Sequence, residues 1–145
     1  MKRRKFIVLA LTLPVLLSAQ EQARKISFEV AYQSFVGSAS VEKNAEIINL
    51  NISKKPPSGK SVPVEIKVDY PMQKDDYITD IAVLPTQNPV CKAVEFHLTP
   101  MNGSAYLACN IKLARAQDVV VLVRNSKGQI YQQSQEVHVA LSGCA

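Results

Sequence analysis

Apolar Val62, Val64, Ile66 and Val68 alternate with Pro63, Glu65, Lys67 and Asp69, the two-residue period of a strand buried on one face. Ile48, Leu50 and Ile52 alternate in the same way with Asn49 and Asn51. Lys54 to Ser61, holding Pro56, Pro57 and Gly59, reads as a turn between them, and Pro63 suits a strand start or an edge because it has no N–H to give. Further strands are predicted at Tyr77 to Leu84, Ala93 to Thr99, Ser104 to Leu113, Asp118 to Arg124 and Gln129 to Leu141. Pro100 to Gly103 and Asn125 to Gly128 carry the turn residues of hairpin loops. One segment has a different period: Phe28, Ala31, Phe35 and Val36 recur at helical spacing and Gly37 follows at the stop. The pattern predicts an all-β chain, an immunoglobulin-like antiparallel sandwich of about seven strands with a short N-terminal helix.

The first residues belong to a separate unit. Lys2, Arg3, Arg4 and Lys5 precede an apolar run from Phe6 to Leu17, too short to span a membrane and of the length of a signal-peptide core. Residues 1–19 therefore read as a leader, cleaved before Gln20. Paired Arg3 and Arg4 ahead of Phe6 resemble a twin-arginine export signal, with an ordinary secretory leader as the alternative; both deliver the product outside the cytoplasm. Residues 20–141 form the folded domain in this reading, and 142–145 a short C-terminal arm.

Composition then narrows the function. The chain's formal net charge is +5. Taking the four leader cations from its 17 leaves 13 basic against 12 acidic residues, so the mature surface is nearly neutral. With that balance and no Trp, nucleic-acid binding loses its electrostatic warrant. No second long apolar stretch follows the leader, which argues against a membrane protein.

Residues able to do chemistry are few. His97 and His138 fall opposite the apolar positions of their strands and read as solvated side chains, and Asp75 and Asp76 read as turn formers. Cys91, His97 and Met101 stand in the order of a blue-copper ligand set, but no second histidine has suitable spacing, so no metal and no cofactor is assigned.

Three cysteines leave at least one unpaired within a monomer. A hairpin at Pro100 to Gly103 would set Val94 opposite Cys109 and put Cys91 about 10 Å from Cys109, too far for a disulfide unless the Pro89 segment bends back from the ladder. Cys91 and Cys109 are then either a disulfide or two buried thiols. Cys144 differs in kind. The inward set Val137, Val139 and Leu141 ends just before Ser142, Gly143, Cys144 and Ala145, so this thiol projects beyond the core. It reads equally as an accidental terminal cysteine, an intermolecular staple or a carrier thiol.

Several segments in order carry a family resemblance: Phe28 to Gly37, Ser61 to Val64, Tyr70 to Met72 with Asp75 to Ile78, Asn88 and Pro89, Phe96 to Pro100, and terminal Gly143 and Cys144. In these the chain resembles the SoxY family, sulfur-carrier subunits of the periplasmic thiosulfate-oxidation (Sox) system. The resemblance implies a non-enzyme that holds sulfur intermediates on Cys144, a heterodimer with a SoxZ-like immunoglobulin-like subunit, transient complexes with other Sox enzymes, and a sulfur oxyanion as substrate. Family arms are glycine-rich on both sides of the cysteine, whereas Ser142 replaces the first glycine here and Ala145 the two that should follow. The rival expectation is an exported scaffold or adhesion module cross-linked through its terminal cysteine. A heterodimer also has a basis in the strands. Val120 and Leu122 point away from Val119, Val121 and Val123, as Tyr106 and Ala108 do from Leu107 and Cys109. Val120 and Leu122 are thus expected at the partner interface, unless the N-terminal helix covers them.

Overall fold

The computed structural model describes residues 25–140. Helix α1 spans Phe28–Val36, capped at its start by the Ser27 hydroxyl, which accepts from the Val30 amide, and at its end by Gly37 at φ +57°. Eight strands follow: β1 Val41–Lys43, β2 Ile48–Ile52, β3 Val62–Val68, β4 Ile78–Pro85, β5 Val94–His97, β6 Ala105–Ile111, β7 Gln117–Asn125 and β8 Ile130–Val137. They form a five-stranded sheet in the order β1-β8-β7-β4-β5 and a three-stranded sheet in the order β2-β3-β6. The fold is mostly β, two sheets face to face, as the alternating segments predict. It adds one strand to the expected seven: β1 is short, lacks an alternating signature, and pairs in parallel with β8.

Two other expectations change. Pro100–Asn102 is a 3-10 turn that carries the chain from one sheet to the other, so β5 pairs with β4 and β6 with β3. Val94 therefore does not face Cys109: Val94 lies opposite Val83, and Cys109 opposite Val64. Pro63 is at a strand start but not on an edge strand, since β3 is central in its sheet and β2 has ended before the Pro63 position.

The main core lies between the sheets. Val62, Val64, Ile66 and Val68 of β3 meet Ile81 and Val83 of β4 and Val119, Val121 and Val123 of β7. A second cluster lies on the other face of the five-stranded sheet, where Ala82, Leu84, Val120, Leu122 and Ile130 pack under Ala31, Phe35 and Val36 of α1. Val120 and Leu122 are 6% and 0% exposed, so their assignment to a partner interface is overturned. A nine-residue helix is wide enough to seal this strip because Phe35 spreads over it and Arg124 closes its end. The Arg124 guanidinium lies 4.5 Å from the Phe35 ring centroid, donates to the Phe35 carbonyl, and meets Asp80 at 3.4 Å. Tyr106 and Ala108, by contrast, stay exposed on the outer face of β6.

The end of the sandwich at the β7–β8 hairpin is tied by a polar network. Gly128, at φ +82°, closes the hairpin. Tyr70 donates to Asp76 at 2.7 Å, Lys127 meets the same carboxylate at 2.7 Å, and the Asn125 amide donates to the Tyr70 oxygen at 2.9 Å. Asp76, read from sequence as a turn former, thus also joins two loops. The hydrogen bonds from Lys127 and Tyr70 hold its carboxyl below the ordinary 3.8.

Two outcomes follow from this packing. Phe35→Ala should cost about 3–5 kcal/mol of unfolding free energy in urea titrations, and Val120→Asp or Leu122→Lys should abolish soluble folded protein because each buries an unpaired charge. Folded variants at full yield would contradict the seal under α1. For Asp76, a lowered folded-state pKa means stabilisation that is present above the unfolded value and lost as pH falls through the folded one. The melting-temperature gap between the natural protein and Asp76→Asn should therefore be widest above about pH 4 and close below it; a gap independent of pH would refute the network's role.

Candidate functional site

Cys144 and its neighbours Ser142, Gly143 and Ala145 lie outside the described residues, as does Leu141. What the structure does describe is the point from which they depart. After β8 the backbone runs beside the Lys54–Pro56 segment: His138 N–H donates to the Lys54 carbonyl at 2.8 Å and Ala140 N–H to the Pro56 carbonyl at 3.4 Å. Val139 packs against the main core. The adjoining turn needs glycine at Gly59, where a Cβ would lie 2.1 Å from the Leu113 carbonyl oxygen; the Leu113 amide donates to the Gly59 carbonyl at 2.8 Å. Chain departure is therefore anchored on two loops that are themselves pinned together. It sits at the end of β8 opposite the Tyr70–Asp76–Lys127 network.

The other two thiols are separate from each other and from this exit. Cys91 and Cys109 are both free, so the disulfide alternative is not what the structure contains. The reason is topological. Cys91 is 3% exposed in the cluster beneath α1, where its thiol donates to the Asn88 carbonyl at 3.1 Å. The chain around it is fixed by Ile26, whose amide donates to Pro89 and whose carbonyl accepts from Cys91. Cys109 faces the main core from β6, in the other sheet, half-buried. Burial pushes its thiol pKa up, which lowers its thiolate fraction.

The histidines and the rest of the copper-ordered set are placed as follows. His97 is an exposed residue of β5 directly opposite Asp80 of β4, with Nδ1 2.5 Å from the carboxylate. Asp80, Glu95 and His97 bring ligand atoms within 4.8 Å of one another. Asp80 is already engaged by the Thr79 hydroxyl at 2.7 Å and by Arg124, while Glu95 pairs with Lys92. Each carboxylate thus has a cationic partner, which disfavours a metal ion there. Sequence reading missed this cluster because its members are neighbours only across a strand pair; the Asp80–His97 register was its only signal. Met101 is 94% exposed, and Cys91 is committed beneath the helix, so neither joins His97. His138 is exposed and lies 3.3 Å from Glu136. Among the described residues no helix is long and apolar enough to cross a membrane.

Comparison with known proteins follows this geometry. No curated protein is matched by sequence. Among solved structures, the chain is similar to the sulfur carrier protein SoxY from Chlorobium limicola f thiosulfatophilum, at 20% identity and TM-score 0.66 over 79% of this chain and 97% of that one. It is also similar in fold to the superoxide reductase (neelaredoxin) from Ignicoccus hospitalis, at 11% identity and TM-score 0.59 over 68% and 94% of the two chains. The superoxide reductase from Nanoarchaeum equitans matches at 9% identity and TM-score 0.53, over 68% and 100%. At these identities the likeness is one of fold alone. The family is decided by sequence: the model described as "Sulfur oxidation protein SoxY" matches residues 32–144, from within α1 through the terminal cysteine, and the chain belongs to the SoxY family.

Proposed function

We propose that the protein is an exported, periplasmic carrier of sulfur intermediates in thiosulfate oxidation, with Cys144 as the covalent attachment site and with no catalysis of its own. The observation that carries the reading is the extent of the family match, which reaches Cys144 instead of stopping at the sandwich. The fold adds an argument by elimination. Cys91 is sealed under α1, and burial disfavours the Cys109 thiolate, so a carrier thiol that must enter other proteins' active sites belongs on the arm. Residues 1–19 serve as the export leader and 142–145 as the arm.

Loading joins the Cys144 sulfur to the outer sulfur of thiosulfate, giving a cysteine S-thiosulfonate; a proton and two electrons leave, the electrons passing to an electron-accepting redox protein. Hydrolysis then releases the terminal sulfonate as sulfate, leaving a persulfide on the arm. No Lys, Arg or His stands within the arm to lower the thiol pKa, so thiolate formation depends on the partner enzyme's site. A SoxZ-like subunit is the expected permanent partner, and its interface lies elsewhere than at Val120 and Leu122, which α1 covers.

Mass spectrometry of the protein purified from thiosulfate-grown cells tests this. Adducts of thiosulfonate or persulfide mass should map to the peptide containing Cys144 and vanish in Cys144→Ala. Adducts confined to Cys91 or Cys109, or a Cys144 found only in disulfides between copies, would sink the carrier reading, the second outcome favouring a cross-linked scaffold.

A further inference from the structure

The chain on either side of β2 is tied to β8: the Ala45 amide donates to the Gln132 carbonyl at 3.0 Å, and the His138 amide to the Lys54 carbonyl at 2.8 Å. Between those ties β2 pairs with β3 alone. A groove of about 590 Å³ is left beside β2, with Gln133, Ser134 and Gln135 of β8 on one side, and it continues over the outer face of the three-stranded sheet. Strand register arranges that face in rows. Asn49, Lys67 and Tyr106 lie side by side across β2, β3 and β6, and Asn51, Glu65 and Ala108 form the next row. Neighbours stand roughly 5 Å apart across the strands and the rows roughly 7 Å apart along them. A smaller hollow of about 320 Å³, between Val68–Tyr70 and Gly103–Tyr106, shares Lys67 and Tyr106 with the first, so the two meet at Tyr106.

Hydrogen bonds fix the amides of the groove by one end and leave the other end for a ligand. Asn49 donates to Asp69 at 2.9 Å and Asn51 to Glu65 at 3.0 Å, each keeping its carbonyl oxygen, while Gln133 accepts from the Ser134 amide at 3.1 Å and keeps its side-chain N–H groups. The Tyr106 ring is 50% exposed among them. Charge nearly cancels, since Glu65 and Lys67 face the larger hollow together and Lys67 stands 3.8 Å from Asp69. A surface so balanced gives no preference to a sulfur oxyanion. It also lacks the apolar centre of a permanent subunit interface. It matches an uncharged ligand with an apolar face to lie on an aromatic ring and hydroxyls that each donate and accept. We propose that the groove binds a neutral oligosaccharide, one sugar ring resting on Tyr106 and its neighbours hydrogen-bonded by Asn49, Asn51 and Gln133. The site is independent of the cargo on Cys144. Combined with the export proposed above, it holds the protein to glycans of the cell envelope.

The test titrates the isotopically labelled full chain, as purified with any bound partner, with chitotriose and separately with cellotriose, which has hydroxyls where chitotriose has acetamido groups. At least one of the two should give saturable NMR shifts at the amides of Asn49, Asn51, Tyr106 and Gln133, with a Kd at or below about 5 mM. Binding of chitotriose alone assigns the acetamido group a place in the site, and equal binding assigns recognition to the sugar ring and its hydroxyls. Tyr106→Ala should weaken binding about tenfold or more, and Tyr106→Phe, which keeps the ring and loses one neutral hydrogen bond, about threefold or less. Because the Tyr106 side chain is exposed, both variants should melt within about 3 °C of the natural protein. No saturable shifts with either sugar up to about 20 mM, or equal affinity after Tyr106→Ala, would overturn the proposal. So would loss of a copurifying subunit on Tyr106→Ala, which would make this face a protein interface.

Discussion

The β4–β7 pair is buried on both faces, and the remaining architecture follows from that constraint. Ile81, Val83, Val119, Val121 and Val123 belong to the inter-sheet core, while Ala82, Leu84, Val120 and Leu122 belong to the cluster under α1. An antiparallel strand pair with no polar face is not soluble by itself and needs a cover on each side. The three-stranded sheet is one cover and the helix the other. The short helix is therefore a structural necessity: its isolated stability would be marginal at nine residues, and tertiary packing holds it. Arg124 links the layers by closing the helix C-terminus from the sheet beneath, with Asp80 as its counter-charge.

This arrangement divides the molecule along the strands. β8 begins at the hairpin end, near the Tyr70–Asp76–Lys127 network, and ends where the chain departs, eight residues or about 23–27 Å away. The hairpin end is locked by paired charges and a tyrosine. The exit end gathers lysines without counter-ions among the described residues, around two loops held by backbone bonds. The two thiols within the sandwich are held differently, Cys91 by enclosure and a hydrogen bond, while Cys109 is half-buried with its ionised form disfavoured.

Strand placement was legible in the sequence because a period of two is local physics: β2, β3, β6 and β7 lie where alternation or dense β-branched runs put them, and α1 lies where the 3.6-residue spacing and Gly37 put it. The family could also be read from ordered short segments, since those are properties of the chain and not of its folding. Pairing could not be read. Pro100 to Gly103 has the residues of a hairpin loop but serves as a crossover between sheets, and no local signal separates the two, because strand partners are chosen by which apolar faces the whole sandwich must bury. That one decision parted Cys91 from Cys109. The apolar excess at Val120 and Leu122 was likewise visible, but whether a helix or another protein covers it depends on the reach of α1 across the sheet, set by Phe35 and Arg124 from opposite ends of the chain. The Asp80–His97 contact belongs to the same class, a meeting of residues on two strands that only three-dimensional packing creates.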